Sequence, residues 1–403
     1  MVRLPFVRLG LLFFAHSAVW ADAVLVVPFF NESKSGSVDW IGESFSETIR
    51  ESLASQGLLL FTRENRVEAY RRLSIRPNAP LTRASIIKLG EALDATQVIW
   101  GHYELVAPRP QAGTTAAPAV SPRDSLRVVA RVLDLKHTRQ GPEFEETGAL
   151  EDLASLETRM AWRCLKFLAP RNAPSEEDFR RDRPALRLDA IETYIRGLQA
   201  STPDQKHRLF TQAARLDPRF SEPNFELGKM AWEKKDYAVA AGWLEKVSRQ
   251  GSHYFEALFL LGLCRYQLGD FAAAEKALQT VASSVPLNEV FNDLGAAQLR
   301  QRSPAALDNF HRALEGDAAD PDYHFNVGYA LWKRGEFLRA AESFRAVLDR
   351  APEDSEAVLF LGRSLKRDGP RSGDPRSDGR ERLKLNFEEN AYRQLKAELE
   401  SKP

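Results

Sequence analysis

The sequence predicts a molecule in two parts. An α/β sandwich over residues 24–169 is followed by an all-α solenoid of helical hairpins over 187–367, an α+β/α multidomain class. Three observations carry this. The outline of "LGLCRYQLGDFAAAEKAL" (261–278) recurs as "LGKMAWEKKDYAVAAGWL" (227–244) and "VGYALWKRGEFLRAAESF" (327–344). Glycines at 197, 228, 262, 295, 328 and 362 are spaced by 31, 34, 33, 33 and 34, and such self-similarity marks stacked supersecondary units. Upstream of residue 170 the pattern changes to alternating strand-like and helix-like segments, which is not a solenoid pattern.

The first element is a leader. "MVRLPFVRLGLLFFAHSAVWADA" places Arg3 and Arg8 before an apolar run from Leu9 to about Trp20, with Ala21 and Ala23 as small residues at a cleavage point. That is the shape of a secretory signal peptide over 1–23, with the mature chain beginning at Asp22 or Val24. The run is shorter than the ~20 residues of a spanning helix and is broken by His16 and Ser17. The expectation is a periplasmic or secreted protein of a bacterial envelope. An uncleaved anchor and peripheral association with the membrane stay open.

In the module that follows, "AVLVVPFFN" (23–31) is a continuous apolar strand. It leads into an amphipathic helix whose Ile41, Phe45, Ile49 and Leu53 recur every four residues. "LLLF" makes a short strand, and "TRASIIKLGEAL" (82–93) a helix with Thr82 as its N-cap. "TQVIWGHYELV" and "DSLRVVARVLDL" alternate as paired strands around a Pro/Ala/Gly-rich loop, and "EDLASLETRMAWRCLKFL" closes the module as a long helix. This order, with Pro28-Phe29-Phe30-Asn31 and the Leu89, Gly90, Ala95, Val98, Gly101 pattern, resembles the N-terminal domain of TolB and the related FlgO/CsgG-type exported domains. The resemblance implies an envelope location and association with other proteins. It does not imply a secretion pore, because the lipidated Cys and membrane hairpins of CsgG-like proteins are not visible in the sequence. "APRNAPSEEDFRRDRP", within 170–186, reads as a linker.

From 187 to 367 each unit has apolar–Gly, a helical stretch, an aromatic at the turn (Tyr237, Phe271, Phe337) and small residues; Pro218, Pro286 and Pro352 close three units. The period near 34 with these residues resembles the tetratricopeptide repeat, in about five to six units. The fourth unit lacks the Gly-Asp turn and carries Arg302-Ser303-Pro304 instead. After the last first-helix, "DGPRSGDPRSDGR" within 368–382 reads as a solvated, flexible tract. Residues 383–400 return to helical spacing through Leu383, Phe387, Ala391, Leu395 and Leu399. They read as a capping helix, with a free tail as the alternative.

The resemblance implies that the first helix of each hairpin lines a concave groove. Carried onto this chain, its inward positions include Phe225, Trp232, Phe259, Tyr266, Arg300, Phe325, Tyr329, Trp332, Lys333, Arg363 and Arg367. Aromatics run throughout, and cations gather toward the C-terminal end. Such a groove suits an extended or helical peptide whose acidic or C-terminal end meets those cations. Packing between neighbouring hairpins is the alternative for any one of the aromatics.

Composition narrows the remaining classes. Lys+Arg and Asp+Glu are equal at 56 each, so no net field draws the chain to nucleic acid. Cys164 and Cys264 lie in apolar helices and read as core. There is no phosphate loop, His-Glu-x-x-His or Cys-x-x-Cys, and "GESFS" at Gly42–Ser46 lacks the second Gly of a nucleophile elbow, so its serines read as N-cap or helix-surface residues. The expectation is a non-enzymatic scaffold with no cofactor or metal, binding protein or peptide partners. The alternative is an oligomeric component of a secretion or surface-assembly apparatus.

Overall fold

The computed structural model describes residues 23–33, 35–106, 120–181, 183, 185–371, 377–389 and 392. The expected leader, the Pro/Ala/Gly-rich loop and most of the expected C-terminal helix lie outside the described residues.

The module is a mixed sheet with helices on both faces. Its strands are β1 (Ala23–Val26), β2 (Phe30–Asn31), β3 (Leu59–Leu60), β4 (Gln97–Val106), β5 (Ser125–Asp134) and β6 (Arg139–Ala149). The order is β3-β1-β4-β5-β6, with β2 also paired to β4. β1 runs parallel to β3 and β4, and β4, β5 and β6 are antiparallel neighbours. Covered on both faces, β1 reads as a continuous apolar run rather than an alternation. Val24 and Val26 pack toward α1 (Trp40–Ala54) and α4 (Leu153–Leu168). Leu25 and Val27 pack toward α2 (Arg63–Arg72) and α3 (Arg83–Glu91). Ile41, Phe45, Ile49 and Leu53 are each fully buried, and the Thr82 hydroxyl caps α3 by accepting from Ser85 N–H.

Gly42 lets α1 press onto the chain after β1, since a Cβ there would lie 2.0 Å from the Phe29 carbonyl oxygen. Ser44 and Ser46 are buried inside α1, which corrects the N-cap or surface reading. Ser46 Oγ donates to the Val26 carbonyl and accepts from Arg66. Both cysteines are free and buried, and burial pushes each thiol up to about 12.

The repeats form hairpins α6–α7 (Leu188–Gln199, Pro203–Leu216), α8–α9 (Glu222–Glu233, Tyr237–Leu244), α10–α11 (Tyr254–Gln267, Phe271–Ala282), α12–α13 (Asn288–Arg300, Ala306–Gly316) and α14–α15 (Pro321–Lys333, Phe337–Arg350). A last helix, α16 (Ser355–Leu365), follows. The glycine ruler has a packing cause. A Cβ at Gly228, Gly262 or Gly295 would lie 2.6, 2.7 or 2.8 Å from Leu244, Leu278 or Phe310 of the second helix. At Gly362 nothing lies within 4 Å, because α16 has no second helix against it among the described residues. Each hairpin turn from the second onward holds one residue with positive φ: Lys235, Gly269, Arg302 and Gly335. Arg302 thus fills the place of glycine in the unit that lacks the Gly-Asp turn.

Two boundaries differ from expectation. The stretch 170–186 is not a plain linker. It holds α5 (Glu176–Arg181), whose Phe179 is buried, and Arg183 stacks 3.7 Å from that ring while donating to Ser52 and Ser55 of the module. One continuous core joins the module to Ile191, Tyr194, Phe210, Phe220 and Leu227 of the first repeats. Of the expected capping helix, 383–388 is not helical but extended, and it runs through the concave face of the repeats, whereas Glu389 and Tyr392 are helical, with Tyr392 N–H donating to the Glu388 carbonyl. With the extended stretch, residues 380–382 of the expected solvated tract are held in the groove.

Candidate peptide-binding groove

The concave face is built from α8, α10, α12 and α14 and closed by α16. Its floor is polar at the centre. Asn292 and Asn326, 34 residues apart, stand side by side, with Asn326 Nδ2 donating to Asn292 Oδ1 at 2.7 Å. Both amides also donate to the Arg382 carbonyl, at 2.7 and 2.8 Å, and Arg382 N–H donates back to Asn326 Oδ1 at 2.9 Å. Two residues on, Lys384 N–H donates to Asp293 Oδ1, and further along Glu388 N–H donates to Glu289 Oε1, each at 2.9 Å. These contacts read backbone, not side chain. They satisfy an extended strand that has no neighbouring strand, which is the general requirement for burying one.

Side chains of the segment divide by charge. Arg382 forks onto Asp354 at 2.6 and 2.9 Å and reaches Asp322 at 3.2 Å, its guanidinium stacked 3.7 Å over Phe325. Lys384 sits 2.7 Å from both Asp320 and Asp322. On the other side, Glu381 accepts from the Tyr266 hydroxyl at 3.0 Å and lies 3.8 Å from Arg300, while Asp378 pairs with Lys333 at 2.6 Å. The guanidinium of Arg382 holds Asp354 below its usual range, and the Lys333 ammonium does the same for Asp378. Burial pushes Asp293 well above the usual carboxylate range, and Glu381 upward. Phe387 stacks on Phe259 at 5.2 Å, and Leu383 fills the seam between the two repeat cores.

Most of the residues expected in the groove meet this segment. Phe259, Tyr266, Arg300, Phe325 and Lys333 contact it as described, and the Tyr329 hydroxyl donates to the Ser377 carbonyl at 2.9 Å. Phe325, Tyr329 and Trp332 are also fully buried against Phe360, so they are floor and core at once. Trp332 Nε1 donates to the Asp368 carbonyl at 2.8 Å. Phe225 and Trp232 pack instead on His253 and Tyr237. Arg363 stacks along Trp332 and Phe360. Arg367 is exposed beyond α16 with positive φ. Beside the cations Arg300 and Lys333, which meet Glu381 and Asp378, the C-terminal end of the groove also holds an acidic wall. It presents Asp320, Asp322, Asp354 and Glu356 to cations.

Asn326 and the acidic four were missed in the sequence. The 34-residue interval between two asparagines on first helices was the available signal; the aspartates read as ordinary turn and N-cap residues, a role Asp320 and Asp354 do also fill.

A second polar space lies where the module meets the repeats. A cavity of about 140 Å³ is lined by Glu47, Glu51, Glu157, Tyr194 and Glu222 among others. Burial pushes Glu157 up to about 7, and raises Glu51 and Glu222 as well. Among the described residues no group of His, Cys, Asp and Glu converges on a metal position, and no helix is long and apolar enough to cross a membrane.

Comparison with known proteins agrees with the repeats. Tetratricopeptide repeat families match residues 198–253, 256–288, 296–355 and 328–369, so this part of the chain carries tetratricopeptide repeats. No enzyme family is indicated. Among solved structures, YrrB, described as a TPR protein with an unusual peptide-binding site, is 19% identical with a TM-score of 0.35, over 39% of this chain and 82% of its own. A MamA structure (41-end) from Desulfovibrio magneticus RS-1 is 20% identical with a TM-score of 0.37, over 41% of this chain and 95% of its own. The chain matches no curated protein.

Proposed function

We propose that this protein is an exported envelope adaptor that holds protein partners as extended segments in the concave groove of its repeats. The observation that carries the reading is the pair Asn292 and Asn326, which grips a backbone carbonyl and its amide inside the concave face. Backbone capture of this kind, flanked by charged and aromatic side-chain positions, is how a groove holds an extended peptide. Among the described residues no groove side chains are arranged as nucleophile and base, and the reading is non-catalytic.

The module 24–169 is the part we assign to docking in the envelope, in keeping with its likeness to the exported domains of TolB, FlgO and CsgG type. Export follows from the three-part leader. β1 begins at Ala23, whose carbonyl accepts from Thr96, and this favours Asp22 over Val24 as the first mature residue. The test pairs two measurements. Sequencing the mature N-terminus should return Asp22; Met1 on soluble protein from the cytosol would reject export. Partners captured from envelope extract by the wild-type chain should be lost with Asn292→Ala/Asn326→Ala, and unchanged capture by that variant would reject the groove.

A further inference from the structure

The groove is already filled by the chain that forms it, and the filling is specific. Residues 378–388 contribute three backbone N–H groups, one backbone carbonyl, three cations, two acids and one aromatic ring to matched positions on the repeats. Alternation along an extended chain explains the sorting. Arg382 and Lys384 fall on one side and meet Asp322 together, while Glu381 and Leu383 fall on the other. Removing this strand would leave Asn292, Asp293 and Asn326, each fully buried now, facing an open trough beside four uncompensated carboxylates.

We infer that residues 378–388 are an intramolecular plug that mimics the ligand, and that the groove's partner is an extended protein segment with the same chemistry: cations at alternate positions, as at 380, 382 and 384, and an aromatic three residues after the last. The inference rests on the adaptor reading above and gives it a ligand class. A tethered plug competes at high effective concentration, so the wild-type chain binds partners with an affinity reduced by the fraction of time its groove is open. The acidic wall at Asp320, Asp322, Asp354 and Glu356 selects for cations, and charge contacts of this kind weaken as salt rises.

The experiment uses the full chain and a fluorescent peptide spanning residues 377–389. Arg382→Glu/Lys384→Glu should release the plug and bind the peptide at least about ten-fold more tightly than the wild type. Adding Asn326→Ala should abolish that gain. A peptide with the positions of Arg382 and Lys384 reversed to Glu should not bind, and higher salt should weaken the native peptide. Circular dichroism melting of each variant checks that the repeats remain folded. Lys384→Glu alone is the milder release, and Leu385→Glu, at an exposed position of the plug, is the control that should bind like the wild type. Equal affinity for wild type and released variant would overturn the plug. Absence of peptide binding by both would overturn the ligand class, and the groove reading would then stand or fall on the capture experiment with Asn292→Ala/Asn326→Ala. A wild-type chain that self-associates and falls apart on Arg382→Glu/Lys384→Glu would assign the segment to a second copy and overturn the intramolecular arrangement.

Discussion

The stack of repeats is covered in two places, at its N-terminal end by a folded domain and along its concave face by its own C-terminal backbone. The first answers the problem of a terminal repeat, whose outer face has no neighbour to bury it; the second covers polar groups of the groove and leaves Val358, Leu359 and Leu365 of α16 exposed. At the N-terminal end the answer is apolar and continuous. Tyr194 packs on Phe210 and Phe220, and the same core runs into α1 and α4 of the module. At the C-terminal end α16 lacks a second helix, and 378–388 covers the groove with polar and charged contacts. The lesson is that the first closure is built to persist, whereas the second is made of contacts that another extended chain could reproduce.

The largest effect that can separate the two ends comes from their anchor residues. Trp332→Ala should destabilise the C-terminal repeats by about 3–5 kcal/mol, since the ring is fully buried against Tyr329 and Phe360. Tyr194→Ala should lower the module and first hairpin together. Hydrogen exchange on both variants reads this out. If Tyr194→Ala leaves the module untouched, the shared core is wrong and the two parts are independent domains.

Next is pH. Glu157 lies buried at the module–repeat junction with its carboxyl pushed up to about 7. A carboxyl raised on folding contributes stability that is fully present below its unfolded value near 4.5 and is lost as pH rises through about 7. Glu157→Gln should remove up to roughly 3 kcal/mol of that pH-dependent loss, so the variant gains on the wild type above neutrality. Denaturant melts from pH 4 to 8 check this; parallel curves would count against it.

A smaller effect tests the middle of the stack. Gly262→Leu should cost about 1–3 kcal/mol, because the added side chain meets Leu278 where even a Cβ would lie 2.7 Å away. The same change at Gly362, where nothing lies within 4 Å, should be nearly silent. Comparable losses at both sites would undo the packing account of the glycine ruler.

What could be read in the sequence followed from periodic burial. The α1 stripe, the β1 run and the glycine period all have strong packing causes, and each appears in the structure where its residues placed it. β6 escaped because it is an edge strand, largely exposed and carrying Gly141 and Pro142 among charges, so it has no apolar alternation to reveal it. α2 escaped because "RENRVEAYRR" buries little beyond Arg66 and Ala69. The groove's aromatics, with Arg300 and Lys333, are legible from their place in the repeat, and those two cations meet the acids Glu381 and Asp378; the acidic wall opposite them is not legible. Asp320, Asp322 and Asp354 come from two turns more than 30 residues apart in sequence and converge only in space, around Arg382 and Lys384. The helical spacing of Leu383 and Phe387 misled. Four residues apart suits a helix, but the tertiary partners of Arg382, Lys384 and Glu388 satisfy an extended backbone instead.

Occupation of the groove by residues 378–388 is measured directly by amide hydrogen exchange at single-residue resolution. Three amides of that segment donate into the repeats: Arg382 to Asn326, Lys384 to Asp293 and Glu388 to Glu289. Their exchange should be slowed well beyond that of Leu385, which is exposed, and Asn326→Ala should return Arg382 toward the free rate. Uniform exchange across 380–388 at the rate of an unstructured peptide, unchanged by Asn326→Ala, would contradict an occupied groove.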